Sequence, residues 1–179
     1  RVERSWLQTA ITGDERRDRY VAQVSTTASE LRLQLPKFIR KLMVYVDGVQ
    51  QTDSTYRYDN TSDTLVIQSP SGTKQLHVIE VSYFLQENLS WFTRIDIKAP
   101  QITGAEYLDV FYWQLVTPQV QHLLWPPEQL TAEWLWQWSG LWWFRSSGDT
   151  DLERSIGATK QANLPPAMNR YLMSSRLSG

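Results

Sequence analysis

Apolar and polar residues alternate with a period of two along most of this sequence. In LRLQL, Leu31, Leu33 and Leu35 occupy every second position, and KQLHVIEVSYFLQ at 74–86 continues the pattern with apolar or aromatic residues at 79, 81, 83 and 85. Successive side chains of a β-strand point to opposite faces of its sheet, so this period is typical of strands with one buried face. The pattern predicts a fold dominated by β-structure.

Turn signals separate these strands. Asp47-Gly48 stands between KLMVYV and VQQTD, and Asp-Gly is typical of a two-residue hairpin turn in which both residues have positive φ. DNTSD at 59–63 lies between STYRY and TLVIQS and predicts a second hairpin. Many short strands with frequent turns predict an all-β fold, an antiparallel β-sandwich of jelly-roll or immunoglobulin-like type. Periodicity alone leaves a β-barrel as the alternative.

The end of the sequence departs from this pattern. SGDTDLERSIGA at 147–158 predicts a short helix, because Asp149 or Thr150 can cap its start and Gly157 can end it. The residues that follow show no clear period, and we expect an irregular tail or linker there. We therefore predict one β-sandwich domain over residues 1–157, with a sub-boundary near 99–106 as an alternative, and a tail over 158–179.

The charged residues argue against nucleic acid as a partner. The formal net charge is -1, whereas nucleic-acid binders usually carry a basic surplus. The run ERRDR at 15–19 mixes both signs, which predicts a solvated charged loop rather than a phosphate site. The chain has no cysteine, which excludes disulfides, cysteine nucleophiles and thiolate metal ligands, and mildly favours export.

Five of the nine tryptophans fall within EWLWQWSGLWWFR at 133–145. Trp134, Trp136 and Trp138 alternate, so on a strand they would share one face. Core packing is the favoured interpretation, because indoles bury a large apolar area. A carbohydrate-binding platform and a membrane-facing belt are the alternatives. The candidate ligand-binding residues are Trp134, Trp136, Gln137, Trp138 and Trp142.

The search for catalytic motifs is mostly negative. The sequence contains neither a G-x-S-x-G elbow, an H-E-x-x-H zinc motif nor a glycine-rich phosphate loop. The two histidines, His77 and His122, lie in strand-like segments and lack metal-ligand spacing. Glu80 is a weak glycosidase candidate that we expect on the solvated face of its strand. We therefore predict that the chain is not an enzyme and holds neither a cofactor nor a metal.

Carboxylates around the second hairpin raise one further metal alternative. Asp53, Asp59 and Asp63 could offer loop oxygens to calcium. Aspartate and asparagine in hairpin turns usually serve the turn itself, which is the favoured interpretation.

Three phrases together carry a family resemblance: RSWLQTAITGDERRDRYVAQVST, VFYWQLVTPQVQHLLWPPEQLT and NRYLMSSRLSG. The set resembles a membrane-proximal extracytoplasmic region of large uncharacterised bacterial envelope proteins. The resemblance implies location in the periplasm or cell envelope and a membrane anchor outside this chain. It transfers no functional residues.

The leading functional hypothesis is a non-catalytic β-sandwich module of a larger exported or envelope protein, used in adhesion, assembly or scaffolding. The chain begins at Arg1 without a methionine, which we interpret as a processed product or a piece of a longer protein. Expected partners are the other domains of that parent protein, with a polysaccharide or a membrane surface as further candidates. The alternative function is a carbohydrate-binding module that uses exposed tryptophans.

Overall fold

The computed structural model describes residues 1–12, 15–69, 75–86, 98–107, 110–119, 130–132, 135–139, 142–146, 149–158 and 168–176. Strands make up most of this part of the chain. In chain order the elements are β1 (Val2–Thr12), β2 (Glu15–Thr26), β3 (Glu30–Gln34), β4 (Ile39–Val46), β5 (Val49–Gln50), β6 (Tyr56–Asp59), β7 (Thr64–Gln68), β8 (Gln75–Gln86), β9 (Gln101–Ile102), β10 (Val110–Pro118), β11 (Thr131–Ala132), β12 (Leu135–Ser139), β13 (Trp142–Ser146), α1 (Asp149–Ile156) and β14 (Met168–Arg176).

The largest element is an eight-stranded sheet with the order β11-β14-β10-β1-β2-β8-β4-β5. Neighbouring strands in it are antiparallel except β1 and β10, which run parallel. Its longest ladder joins β2 to β8 and runs from Glu15 opposite Gln86 to Thr26 opposite Gln75. In β8, Ile79, Val81 and Tyr83 share one buried face as predicted, but Glu80 and Ser82 between them are buried as well.

A four-stranded antiparallel sheet has the order β6-β7-β3-β9, and β12 and β13 form a separate two-stranded ladder. Both predicted hairpins are confirmed. Asp47 and Gly48 join β4 to β5 with φ of 51° and 80°, the positive values that a two-residue turn of this kind needs. Residues 60–63 join β6 to β7.

One hydrophobic cluster contains residues from both larger sheets. Leu7, Tyr20 and Val81 come from the eight-stranded sheet, and Leu33 and Ile67 from the four-stranded one. All five are 1% exposed or less. The two sheets therefore share one core, and the fold is mostly β with antiparallel pairing predominant.

The other face of the eight-stranded sheet, called the outer face below, is partly covered by α1. Ile156 of α1 packs with Trp6 and Val21 in a second buried cluster. The Gln23 amide donates to the carbonyl oxygens of Ser155 and Ile156 at 3.3 and 3.2 Å, which satisfies carbonyls at the end of the helix. The helix lies inside the predicted segment 147–158, and Gly157 follows it with φ of 72°.

The expectation of an irregular tail is wrong for residues 168–176, while residues 159–167 and 177–179 lie outside the described part of the chain. Met168–Arg176 forms β14, which pairs along its whole length with β10 inside the eight-stranded sheet. The hydrophobic residues Leu172 and Met173 are buried there. A period of two is hard to see in MNRYLMSSR because the adjacent residues Leu172 and Met173 are both buried and polar residues flank them.

None of the helical segments within the described ranges has the length and apolarity that a bilayer span requires.

Candidate functional site

The run ERRDR at 15–19 belongs to β2 and is not a solvated loop, which corrects the interpretation from charge. Arg16, Asp18 and Arg19 are 1%, 0% and 2% exposed. Alternation along the strand places Arg16 and Asp18 on the core face, opposite Leu85 and Tyr83, and Arg17 and Arg19 on the outer face. Buried charges are tolerated only where they are paired and hydrogen-bonded, and both buried arginines have such partners.

Arg16 and Asp18 form an ion pair within one strand. The Arg16 Nε donates to Asp18 Oδ1 at 3.0 Å, and Nη2 donates to Oδ2 at 2.7 Å. Residues two apart on a strand lie on the same face, so this spacing lets Nε and Nη2 of Arg16 both donate to the Asp18 carboxylate. The pair is buried at the core side of the sheet.

Arg19 and Glu80 form a second two-point pair, on the outer face. The Arg19 Nε lies 2.8 Å from Glu80 Oε1, and Nη2 lies 3.2 Å from Oε2. The expectation that Glu80 lies on a solvated face is therefore wrong, because its side chain is 2% exposed and neutralised by Arg19. A carboxylate held in this way is not free to act as the general acid that a glycosidase needs.

Two further groups contact Arg19. Its guanidinium carbon lies 5.4 Å from the centroid of the Trp6 ring, a cation–π distance. Its Nη1 lies 3.7 Å from Oε1 of Glu153, a half-exposed residue of α1. Arg19 therefore connects β1, β8 and α1 at one point on the outer face.

A row of polar side chains crosses the sheet at this level. In register, Gln114 of β10 stands opposite Gln8, Gln8 opposite Arg19, and Arg19 opposite Ser82. All four residues are buried. The Gln8 amide donates to Gln114 Oε1 at 2.5 Å. We call Gln8, Arg19, Glu80, Ser82 and Gln114 the polar row; Glu80 belongs to it through its pair with Arg19.

Several buried polar atoms beside these groups have no hydrogen-bond partner in the described part of the chain. They are Trp6 Nε1 and Ser82 Oγ on the outer face, and the hydroxyls of Tyr20 and Tyr83 on the core face. Asp18 lies near the Tyr83 hydroxyl, and Tyr107 and Ser5 lie near that of Tyr20, but outside hydrogen-bond geometry. Burial raises the pKa of Tyr83 well above its usual value, and the negative charge of Asp18 raises it further. Burial likewise raises the pKa of Tyr20 well above 10. Both phenols therefore stay protonated at neutral pH and can donate.

His77 contacts the hairpin turn rather than a nucleophile. Its Nδ1 lies 2.8 Å from Asp47 Oδ2, while Asp47 Oδ1 accepts the backbone N–H of Val78 at 2.8 Å. The Asp47 N–H in turn donates to the Val78 carbonyl. These contacts favour a structural role, in which Asp47 fixes the turn against β8. His122 lies outside the described residues.

The carboxylates of the second hairpin serve their own turn. Asp59 accepts from the Thr61 N–H at 2.9 Å and the Ser62 hydroxyl at 2.8 Å, and these hydrogen bonds lower the pKa of Asp59. Tyr58 donates a long hydrogen bond to Asp63. Among the residues described, no three His, Asp or Glu side chains come close enough together to hold a metal ion.

The tryptophan-rich segment is described only as backbone. Trp136 stands opposite Arg145 and Trp138 opposite Trp143 in the β12–β13 ladder. Trp134 lies outside the described residues, and so do the side chains of Trp136, Gln137, Trp138 and Trp142. The assignment of these five residues as ligand-binding stays a prediction.

The polar row does not follow from the sequence. The mixed charges of ERRDR place Arg19 in a predicted loop, and no sequence pattern connects Gln8 with Gln114. The apolar period gives no signal for this row, because all five residues of ERRDR are charged.

No family model matches the chain, and no curated protein matches it. Among solved structures 114 chains match. An M1 zinc metallopeptidase from Deinococcus radiodurans, solved with a Tyr-Ser-Ala substrate, is 10% identical with a TM-score of 0.50, and the match covers 98% of this chain and 38% of that one. Aminopeptidase A from Legionella pneumophila gives 11% identity, a TM-score of 0.48 and coverage of 98% and 19%. Yeast LTA4 hydrolase gives 11% identity, a TM-score of 0.45 and coverage of 99% and 29%.

The Deinococcus match contradicts the prediction that the chain is not an enzyme. That chain is a metallopeptidase with a fold like this one, so the exclusion of enzymes on missing motifs does not stand. The chain spans less than two fifths of the Deinococcus protein, and at 10% identity the likeness shows the fold alone. The Deinococcus protein is a zinc enzyme, but the described residues of this chain contain no group of side chains that fits a zinc ion.

Proposed function

We propose that this chain is a β-domain of a longer protein related in architecture to the M1 zinc metallopeptidases, and that it supports a neighbouring domain which carries the chemistry. The observation that carries the proposal is the fold likeness of 98% of this chain to 38% of the Deinococcus metallopeptidase. A domain that matches only a part of a larger enzyme fits an assembly or scaffolding role inside one.

The polar row gives this role a physical basis. Arg19 ties β1, β8 and α1 together through Trp6, Glu80 and Glu153. Buried polar groups that are hydrogen-bonded to each other, as Arg19 and Glu80 are, favour one arrangement of their elements over alternatives. The outer face of the sheet would thus be held rigid, with α1 in a fixed position on it.

The sandwich architecture belongs to the same proposal. The eight- and four-stranded sheets contribute to one core cluster, which supports two packed layers. We also retain the bacterial cell envelope as the proposed location, on the resemblance described above.

A second candidate function is carbohydrate binding at the β12–β13 ladder. It is favoured by the register, which sets Trp138 opposite Trp143 and Ser139 opposite Trp142. A sugar platform would change tryptophan fluorescence when a soluble polysaccharide is added. An unchanged spectrum across a panel of polysaccharides would remove this candidate.

The main proposal is tested on the native protein. An antibody raised against this chain should detect a polypeptide much longer than 179 residues in the source cells. That polypeptide, once purified, should release amino acids from short peptides, and a chelator should abolish the release. A native product no longer than this chain, or a longer one without peptidase activity, would contradict the proposal.

A further inference from the structure

Phe38 combines two unfavourable features at one position. It lies in the segment that joins β3 to β4 and is 84% exposed. Its φ is 64°, in the left-handed region, which is a rare outlier for a bulky aromatic residue. A phenylalanine normally gains by burial, and strained backbone tends to occur where it serves a function. Neither folding nor solubility accounts for this residue.

Basic side chains surround Phe38. Lys37, Arg40 and Lys41 are all exposed within three positions of it. The Lys41 ammonium also lies 5.7 Å from the centroid of Phe84. Across β8, Glu15 and Arg17 of β2 add one charge of each sign. The surface formed by Lys37, Phe38, Arg40 and Lys41, called the basic tip below, is thus locally cationic in a chain whose net charge is -1.

Protection of a sheet edge explains only part of the basic tip. The short β5 pairs with β4 only at Tyr45 and Val46, and the register of β4 shifts between Ile39 and Lys41. Lysines and bulges are common devices against edge-to-edge pairing. They account for Lys41 and the shift at Arg40, but an exposed aromatic at the same edge works against that purpose.

We propose that the basic tip is a docking site for an anionic lipid surface, with Phe38 entering the interface and the cations contacting headgroup phosphates. A stable protein partner would need roughly 800 Å² of complementary surface on each side. The other large exposed apolar residues of the described part, Val49 and Leu76, lie at the opposite end of β4, roughly 20 Å away at the rise of a strand. A lone protruding aromatic ringed by cations instead fits a fluid anionic interface.

Vesicle co-sedimentation of the chain tests this inference. We expect binding to vesicles of phosphatidylcholine mixed with phosphatidylglycerol, little binding to phosphatidylcholine alone, and release by salt. Phe38→Asn should weaken binding about tenfold or more, because the buried ring is lost. Asparagine tolerates positive φ, so this variant should fold at least as well as the original. Lys37→Glu should weaken binding roughly fivefold or more.

Two control variants test whether vesicle binding depends on the basic tip itself or on any exposed apolar or charged residue. Val49→Asn removes another exposed apolar residue, and Arg57→Glu reverses a charge on an exposed position of β6. Both should bind mixed vesicles as the original chain does. The inference is overturned if no vesicles are bound, if Phe38→Asn binds normally, or if Arg57→Glu is as harmful as Lys37→Glu. A self-association that Phe38→Asn abolishes, without vesicle binding, would assign the tip to a second copy instead and also overturn it.

Discussion

The guanidinium of Arg19 contacts side chains of three other elements on the outer face, namely β1, β8 and α1. Glu80, Trp6 and Glu153 surround it. Its planar fork of donors explains why an arginine stands here, since a lysine cannot make both bonds to one carboxylate. Strand alternation makes this arrangement: Arg17 and Arg19 face outward while Arg16 and Asp18 face the core.

The Tyr83 hydroxyl offers a test at a single atom. It is buried without a hydrogen-bond partner among the described residues, so Tyr83→Phe should leave stability unchanged or raise it by up to about 1 kcal/mol. The pKa of Tyr83 is raised in the folded chain by burial and by Asp18. The unfolded chain ionises near pH ~10, so the original loses stability as the pH rises above that value.

Urea unfolding at neutral pH and above about pH 10 measures both effects. The fall in stability at high pH should be smaller in Tyr83→Phe than in the original chain. A variant that is much less stable at neutral pH would mean that the hydroxyl has a partner.

Asp47 offers a second residue test. Asp47→Ala removes the contacts with His77 and the Val78 N–H and puts alanine at a φ of 51°, so we expect a loss of about 2 kcal/mol or more. Asp47→Asn keeps an acceptor and tolerates the same φ, and it should cost less than about 1 kcal/mol. Thermal unfolding compares the two. Losses below about 0.5 kcal/mol in both variants would show that the turn does not depend on this side chain.

At the level of single elements, a strand could be predicted from the sequence where one of its faces is apolar, and not where buried polar residues interrupt that pattern. The hairpins at 47–48 and 60–63 and the alternation of β3 and β8 were predictable, because each shows one apolar face or a turn with a local chemical requirement. β1 and β14 were not, because polar residues such as Thr9 and Gln8 are buried on both faces of β1 and interrupt the apolar period. The polar row depends on strand order, which periodicity does not contain.

The end of α1 gives a test with an internal control. Gly157 and Gly104 have nearly the same φ, 72° and 73°, but an added Cβ would meet Val78 Cγ2 at 3.4 Å only at Gly157. That distance is an ordinary van der Waals contact, so backbone strain should dominate at both sites. We expect Gly157→Ala and Gly104→Ala each to cost about 1–2 kcal/mol in thermal unfolding. A Gly157→Ala variant without loss would contradict a left-handed end to α1.

At the scale of the whole molecule, distant parts of the chain meet at the centre of the large sheet. β1 at the start pairs with β10, and β10 pairs with β14 near the end. Such pairings fold slowly because long loops must close first. The order of strands could not be read from the sequence, since every strand with this period fits several neighbours.

Removal of β14 tests the correction of the predicted tail. Deleting residues 168–179 would leave one edge of β10 unpaired and expose the core around Trp113 and Leu115. We expect loss of cooperative unfolding or aggregation, measured by circular dichroism and sedimentation. A stable, monomeric truncated chain would restore the interpretation of this segment as a tail.

The charges of β2 at Arg16, Asp18 and Arg19 are buried and paired, and a double-mutant cycle on Arg19 and Glu80 tests this arrangement. Arg19→Met and Glu80→Leu should each lower the free energy of unfolding in urea by about 3–5 kcal/mol, because each leaves a buried charge without its partner. The double variant should cost less than either single one, since an apolar pair replaces the ion pair. Small and additive losses, below about 0.5 kcal/mol each as for exposed residues, would show that these charges are solvated and that ERRDR is a loop.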